Sequence, residues 1–266
     1  MQLVPGAGLI ATSVRNAPPA TVLRPADRAE LLAALADTPG AILVAGGTHL
    51  AAEYLTGLRP ATLIGLDRVA ELARLEIDDG EIRLGAMLTH AAGAAHPGLR
   101  QLLPGFAEAW RVIANVRVRH WATIGGNLMA RCTRYELSVL LTALGARLRL
   151  LATDGSFIER TPAELWNRPL PVQAVLHHIA IARRPGLALT YRRELRPVVT
   201  LAACRDETGI TAAIATEYLP PLLLPNADIS ELPVDFADPV SSAWYLRRAG
   251  SVLLSRARGE LEESGA

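Results

Sequence analysis

The chain has 266 residues, half of them hydrophobic, which is enough for one large domain or two modest ones with a buried core and excludes a disordered chain. Its 27 basic and 26 acidic residues leave a formal charge of +1, so no electrostatic footprint points to nucleic acid or an anionic membrane as partner. Two cysteines, Cys132 and Cys204, are too few for a disulfide framework and half the usual ligand set of one iron-sulfur cluster, and the six histidines show no HxxxH or HExxH spacing, so no metal site is expected on this chain.

In chain order, the apolar run within Leu3 to Val14 is broken by Pro5, Gly6 and Gly8 with no basic segment before it, and reads as neither a signal peptide nor a spanning helix. With few cysteines besides, a cytoplasmic location is expected. Thr21 to Leu23 reads as a short strand, and Asp27 with Glu30 as a capping box opening a helix from Asp27 to Ala36 that Pro39-Gly40 stops. Ala41 to Ala45 is a compact apolar strand running into Gly46-Gly47-Thr48, and a further strand, Ala61 to Leu66, follows a polar connection. Glu81 to Gly85 reads as a strand, and Leu99 to Ile113 has helical spacing at Leu102, Leu103, Phe106 and Trp110. Leu137 to Leu144 is a helix candidate, and Ala146 to Leu151 a strand closed by the turn Thr153 to Ser156.

Polar and turn residues at Arg183 to Gly186 mark a domain boundary. Beyond it, Val198 to Cys204 and Ile210 to Thr216 flank a turn and predict a hairpin, while the proline-rich run Leu219 to Pro225 reads as irregular. Asp238-Pro239 then places a capping residue and a first-turn proline before a helix from Val240 to Glu260.

Two glycine turns carry the functional argument. In Val44-Ala45-Gly46-Gly47-Thr48-His49 a strand ends in residues without a β-carbon, so consecutive backbone N–H groups can face an anion at close range. Thr123-Ile124-Gly125-Gly126-Asn127 repeats the paired glycine between hydrogen-bonding side chains, and two such nests suit the two phosphates of a dinucleotide. A paired glycine also serves a plain tight turn, and neither loop alone chooses between the roles. Neither fits GxGxxG or GxxxxGK[ST], which disfavours a Rossmann site or a nucleoside-triphosphate loop.

AGGTHL followed some eighty residues later by TIGGN resembles the FAD-binding medium subunit of the molybdenum hydroxylases, the group that includes the carbon monoxide dehydrogenase flavoprotein and the flavin domain of xanthine dehydrogenase. Ala61 to Leu66, Leu84 to His90 and Ser242 to Arg248 look like further landmarks, so the resemblance spans nearly the whole chain. It implies an α+β fold: a PCMH-type two-subdomain FAD-binding domain over residues 1–184, then a shortened small α/β C-terminal domain over 185–266 ending in a helix. It also implies that Val44, Ala45, Gly46, Gly47, Thr48 and His49 wrap the FAD pyrophosphate, while Ala122, Thr123, Gly126 and Asn127 approach from the other side.

Two departures accompany the resemblance. Where the family has a segment like ASPxxD, this chain has Arg131-Cys132-Thr133-Arg134-Tyr135-Glu136, so Glu136 stands for the aspartate with one extra methylene. Where it has a lysine in a segment like FRK, this chain has Tyr191-Arg192-Arg193, with Arg192 or Arg193 as the cation; Arg192 is the residue taken into the expected site. Arginine keeps its proton and presents a planar fork, so the exchange is not neutral.

The resemblance implies an oxidoreductase subunit active only in a complex. A large partner carries molybdopterin, a small partner carries 2Fe-2S clusters, and the assembly is a dimer of heterotrimers, with electrons passing through FAD to an outside acceptor. No side chain is expected to act as nucleophile or general base. Two other readings stand beside it: an assembly subunit that kept the fold but lost tight FAD binding, and a stand-alone flavoenzyme. Among single residues, His49 either touches the cofactor or faces solvent, and Cys132 is either a reactive thiol or a small buried residue. The arginines at 117, 119, 131 and 134 receive a phosphate or a partner, or are solvated. Trp110, Trp121, Trp166 and Trp244 read as core or interface anchors. Adjacent His177 and His178 are expected on opposite faces of a strand, unable to share one ion.

Overall fold

A computed structural model describes residues 19–171, 173–194 and 198–263. The apolar run from Leu3 to Val14 lies outside them.

The chain opens with β1 (Thr21–Leu23), α1 (Arg28–Asp37), β2 (Ile42–Val44), α2 (Thr48–Leu55) and β3 (Thr62–Gly65), which close a small parallel sheet in the order β1-β3-β2. Asp27 caps α1, its carboxylate accepting the Glu30 N–H at 2.9 Å, and Glu30 reaches back to the N–H of Ala26 at 2.8 Å, one residue earlier than a standard capping box. Leu31 and Leu35, one turn apart, seal this helix onto Ile64 and Leu66. The stretch read as a polar connection contains α2, which has no side-chain cap and no buried residue, so neither a start signal nor an apolar stripe marks it.

A five-stranded antiparallel sheet follows, ordered β4-β5-β8-β6-β7, from β4 (Leu75–Ile77), β5 (Glu81–Gly85), β6 (Arg147–Ala152), β7 (Phe157–Arg160) and β8 (Ala174–Ala182). Between β5 and β6 lies a run of short helices: α3 (His90–Ala95), α4 (Pro97–Leu102), α5 (Pro104–Val112), α6 (Val116–Trp121), α7 (Ile124–Met129) and α8 (Leu137–Ala143), with α9 (Glu164–Asn167) after β7. The helix expected across Leu99 to Ile113 is two, α4 and α5. Proline at the first position of α5 has no N–H to offer and disfavours helix in the residue before it, so Leu103 turns out to φ −142°.

The two histidines of β8 also depart from expectation. The β6–β8 register slips between Arg149 and Leu150, pairing them with His178 and Leu176, so His177 is the extra residue of a bulge. Both rings come together, Nδ1 to Nδ1 at 2.8 Å, with His177 Nε2 3.4 Å from a Glu71 carboxylate oxygen.

The C-terminal part is a four-stranded antiparallel sheet ordered β12-β11-β10-β9, from β9 (Ala188–Arg193), β10 (Val199–Asp206), β11 (Gly209–Thr216) and β12 (Leu222–Leu224), followed by α10 (Ala243–Glu263). The run from Leu219 to Pro225, read as irregular, holds the edge strand β12 between its prolines, where the missing N–H groups cost no ladder bond. The last helix starts at Ala243 and not Val240. Asp238 accepts the N–H groups of Val240 and Ser241 in a turn of its own, and Ser242 precedes the helix. Alternation in β10 and β11 divides the two faces: Leu201, Ala203, Ala212 and Ile214 pack with α10, while Ala202, Cys204, Ala213 and Ala215 join the main core with α8, every residue of which is buried. The core is thus continuous from the five-stranded sheet through α8 into this last sheet, which brings the end of β9 beside the start of α8.

Candidate functional site

One cleft of about 660 Å³ gathers the expected residues, within the about 300–1,000 Å³ common for small-molecule sites. Val44, Ala45, Gly46, Gly47, Thr48 and His49 line one side; Ala122, Thr123, Gly126 and Asn127 line another, and Glu136 a third. The glycines explain the closeness of the walls. A β-carbon at Gly46 would lie 1.9 Å from the Trp121 carbonyl oxygen, and one at Gly126 would lie 3.4 Å from the Ala45 β-carbon, so each loop is cut to the other's surface. Gly47, at φ +71°, supplies the left-handed turn that starts α2.

The two loops differ in what they leave open. In the first, among the described residues no protein acceptor takes the N–H of Gly46, Gly47, Thr48, His49 or Leu50, and α2 begins without a side-chain cap. In the second, every amide from 124 to 127 is spent: Ile124 on Leu88 O at 3.0 Å, Gly125 on Ala86 O at 2.8 Å, Gly126 on Thr123 Oγ1 at 3.1 Å and Asn127 on Thr123 O at 2.9 Å. The expectation of two amide nests therefore needs correction. The TIGGN segment folds as the capped helix α7, its glycines serving close approach to Ala86 and Ala45, and its four amides from 124 to 127 are not available to a ligand as those of the first loop are.

The third wall departs from a simple carboxylate. Glu136 Oε1 accepts from the Tyr191 hydroxyl at 2.7 Å and from Arg193 Nη1 at 2.9 Å, so the end of β9 is clasped to the start of α8. Burial, with Glu136 beside it, raises the Tyr191 phenol well above its ordinary range and keeps it a donor. Arg193 lines the cleft; Arg192, taken into the expected site, does not, because alternation turns it to the other face of β9, where it pairs with Glu260 of α10. Within the altered segment, Thr133 Oγ1 donates to Glu217 O at 2.7 Å, and half-buried Cys132 sits beside Arg134, whose guanidinium is raised by that contact. His49 is neither free nor wholly exposed: its Nδ1 lies 2.9 Å from the Tyr135 hydroxyl, tying the first loop to this wall.

Sequence reasoning passed over His90. It lines the cleft at 1% exposure, its Nδ1 accepts the Trp110 Nε1–H at 2.6 Å, and its Nε2 has no partner among the described residues. Asn127 Oδ1, also in the lining, is likewise buried without one. Buried polar atoms are nearly always paired, so two orphans on one cleft fit a polar ligand between them. Of the tryptophans, Trp110 is core, whereas Trp121 and Trp244 are 68% and 75% exposed.

The family described as FAD binding domain in molybdopterin dehydrogenase matches residues 16–181, more than half of the chain. The chain belongs to that family. Among curated relatives of this flavin-binding domain, it is 31% identical over 144 residues to the nicotine 6-hydroxylase medium subunit of Paenarthrobacter nicotinovorans, covering 54% of this chain and 49% of that one. It is 27% identical over 150 residues to the caffeine dehydrogenase subunit beta of Pseudomonas sp. (strain CBB1), covering 56% and 51%. The chain thus spans about half the length of the curated relatives it matches. A chain of the reconstituted CO dehydrogenase from Oligotropha carboxidovorans superposes with a TM-score of 0.79 over 91% of this chain and 97% of its own at 21% identity, a likeness of fold. No helix among the described residues is long and apolar enough to cross a membrane.

Proposed function

We propose that this chain binds FAD in the cleft between Gly46 and Asn127 and relays electrons as the flavin subunit of a cytoplasmic molybdenum-containing hydroxylase. Its large partner carries molybdopterin and its small partner the 2Fe-2S clusters, in a dimer of heterotrimers, and the chain divides at 184/185 into an FAD-binding domain and a shortened C-terminal domain. One observation carries this reading: the consecutive residues 46 to 50, whose amides have no protein acceptor among the described residues, all line the one cleft that also gathers Asn127 and Glu136.

The residues suit the group. The open amides and the N-terminus of α2 hold the diphosphate, with Val44 and Ala45 bringing the backbone to it and Thr48 adding a hydroxyl. Ala122 and Gly126 give a surface without bulk, Thr123 fixes α7, and Asn127 offers a side-chain amide to the ligand. His49 holds the loop to Tyr135, Glu136 fixes the far wall through Tyr191 and Arg193, and Arg193, not Arg192, brings positive charge to the cleft. FAD, when bound, supplies the capacity to take up and release electrons.

A second reading, an assembly subunit without tight FAD binding, is favoured by the engagement of Glu136 Oε1 inside the chain. Denaturing the purified chain and measuring released flavin separates the two. Near-stoichiometric FAD, abolished by Gly46→Trp, supports the relay subunit; none in the intact protein, even after reconstitution, favours the assembly role.

A further inference from the structure

We infer that His90 is a cofactor-contacting residue, a neutral imidazole whose Nε2–H donates to an acceptor atom of the dinucleotide bound in the cleft. The inference rests on the FAD reading above and adds a contact from a region outside both glycine loops.

The tautomer follows from the partner. An indole N–H is a donor only, so the His90 nitrogen 2.6 Å from Trp110 Nε1 has to accept, and in a neutral ring the proton then sits on Nε2. Trp110 is fully buried, with Phe106 packed at a ring-centroid distance of 5.3 Å and Gly93 so close beneath that a β-carbon there would lie 2.1 Å from the indole. The indole cannot swing away. The His90 backbone is held as firmly, its N–H donating to Ala122 O at 3.1 Å and Thr89 capping the helix it begins.

Nδ1 is turned to a core tryptophan, His90 is among the residues lining the cleft, and its other ring nitrogen, Nε2, is buried without a partner among the described residues. A buried orphan donor on the wall of a ligand cleft is stabilised when the ligand brings an acceptor. Burial, and secondarily the charge of Arg119, pushes the ring down to about 4, so it stays an uncharged donor at neutral pH. Its direction is set before the ligand arrives, so little ordering cost accompanies the bond.

The test uses the purified full chain, stripped of flavin and titrated with FAD. His90→Asn keeps an acceptor for Trp110 where Nδ1 stood and removes the donor at Nε2; it is expected to weaken FAD binding about tenfold. His90→Gln, which reaches to the Nε2 position, is expected to recover most of the loss. In the wild type, the His90 Nε2–H resonance, read by 15N-edited NMR, is expected to shift on adding FAD. An unmoved resonance, or His90→Asn binding FAD as tightly as the wild type, overturns this assignment alone and leaves the FAD reading standing. A wild-type chain that takes up no FAD overturns both. If His90→Asn fails to fold, the resonance in the unaltered chain decides.

Discussion

The carbonyl oxygen of Trp121 lies 1.9 Å from where a β-carbon on residue 46 would be, so the loop before α2 and the end of α6 touch only because Gly46 has no side chain. Gly46→Ala forces the walls apart. It should cost about 1–3 kcal/mol by overpacking and sharply reduce retained FAD. Gly47→Ala meets open space and carries only the left-handed backbone penalty, roughly 1–2 kcal/mol. Comparing FAD content and urea midpoints of the two variants checks this, since equal flavin loss would show that backbone strain and not wall closure matters.

The clasp of Glu136 predicts a graded series. Tyr191→Phe removes one hydrogen bond and should cost about 1 kcal/mol. Glu136→Ala strands Tyr191 and Arg193 together and should cost roughly 2–3 kcal/mol, less than for a fully buried pair because about a third of the Arg193 side chain is open to water. Because the clasp ties β9 to α8, the loss should appear as one cooperative shift in midpoint, measured by circular dichroism during denaturation.

Much of this arrangement is legible in the sequence, and the exceptions have physical causes. Strands with apolar runs and helices with caps or stripes stand out, as at Asp27 and through Leu137 to Ala143. Helix α2 hides because it starts on a glycine and buries nothing, and α7 because two of its first three residues are glycines, which read as a turn. The paired histidines come together through a bulge, set by cross-strand register that no local pattern carries. At the site, glycine spacing identifies both loops but not which amides remain open: the partners of 124 and 125 are carbonyls of Leu88 and Ala86, far away in sequence. Choosing Arg193 over Arg192 needed the phase of β9, and His90 needed its indole partner 20 residues on.

Acid sensitivity follows from the buried histidines. His90 is held near 4 by burial and Arg119, and His178 near 4 by burial together with His177 and nearby arginines, both below the ordinary 6.5; His177 is lowered too. The unfolded chain takes up these protons first, so stability is complete above about pH 6.5 and lost as pH falls towards 4. His90 alone should account for roughly 3 kcal/mol of that loss. Urea midpoints of the flavin-free protein between pH 7.5 and 4 check it, and His90→Asn should flatten the slope.

At the far end, the cap of α1 offers a control away from the cleft. Asp27→Ala leaves the Glu30 N–H without its acceptor and should cost about 1 kcal/mol while leaving FAD content unchanged.

The most direct measurement is amide NMR of the flavin-free chain titrated with FAD, following the backbone N–H signals of both glycine loops. Resonances of Gly46, Gly47 and Thr48 should move strongly downfield as they acquire diphosphate acceptors, while those of Ile124 and Gly125, already bonded to Leu88 and Ala86, move little. Saturating FAD with the signals at 46 to 48 unmoved would contradict the account.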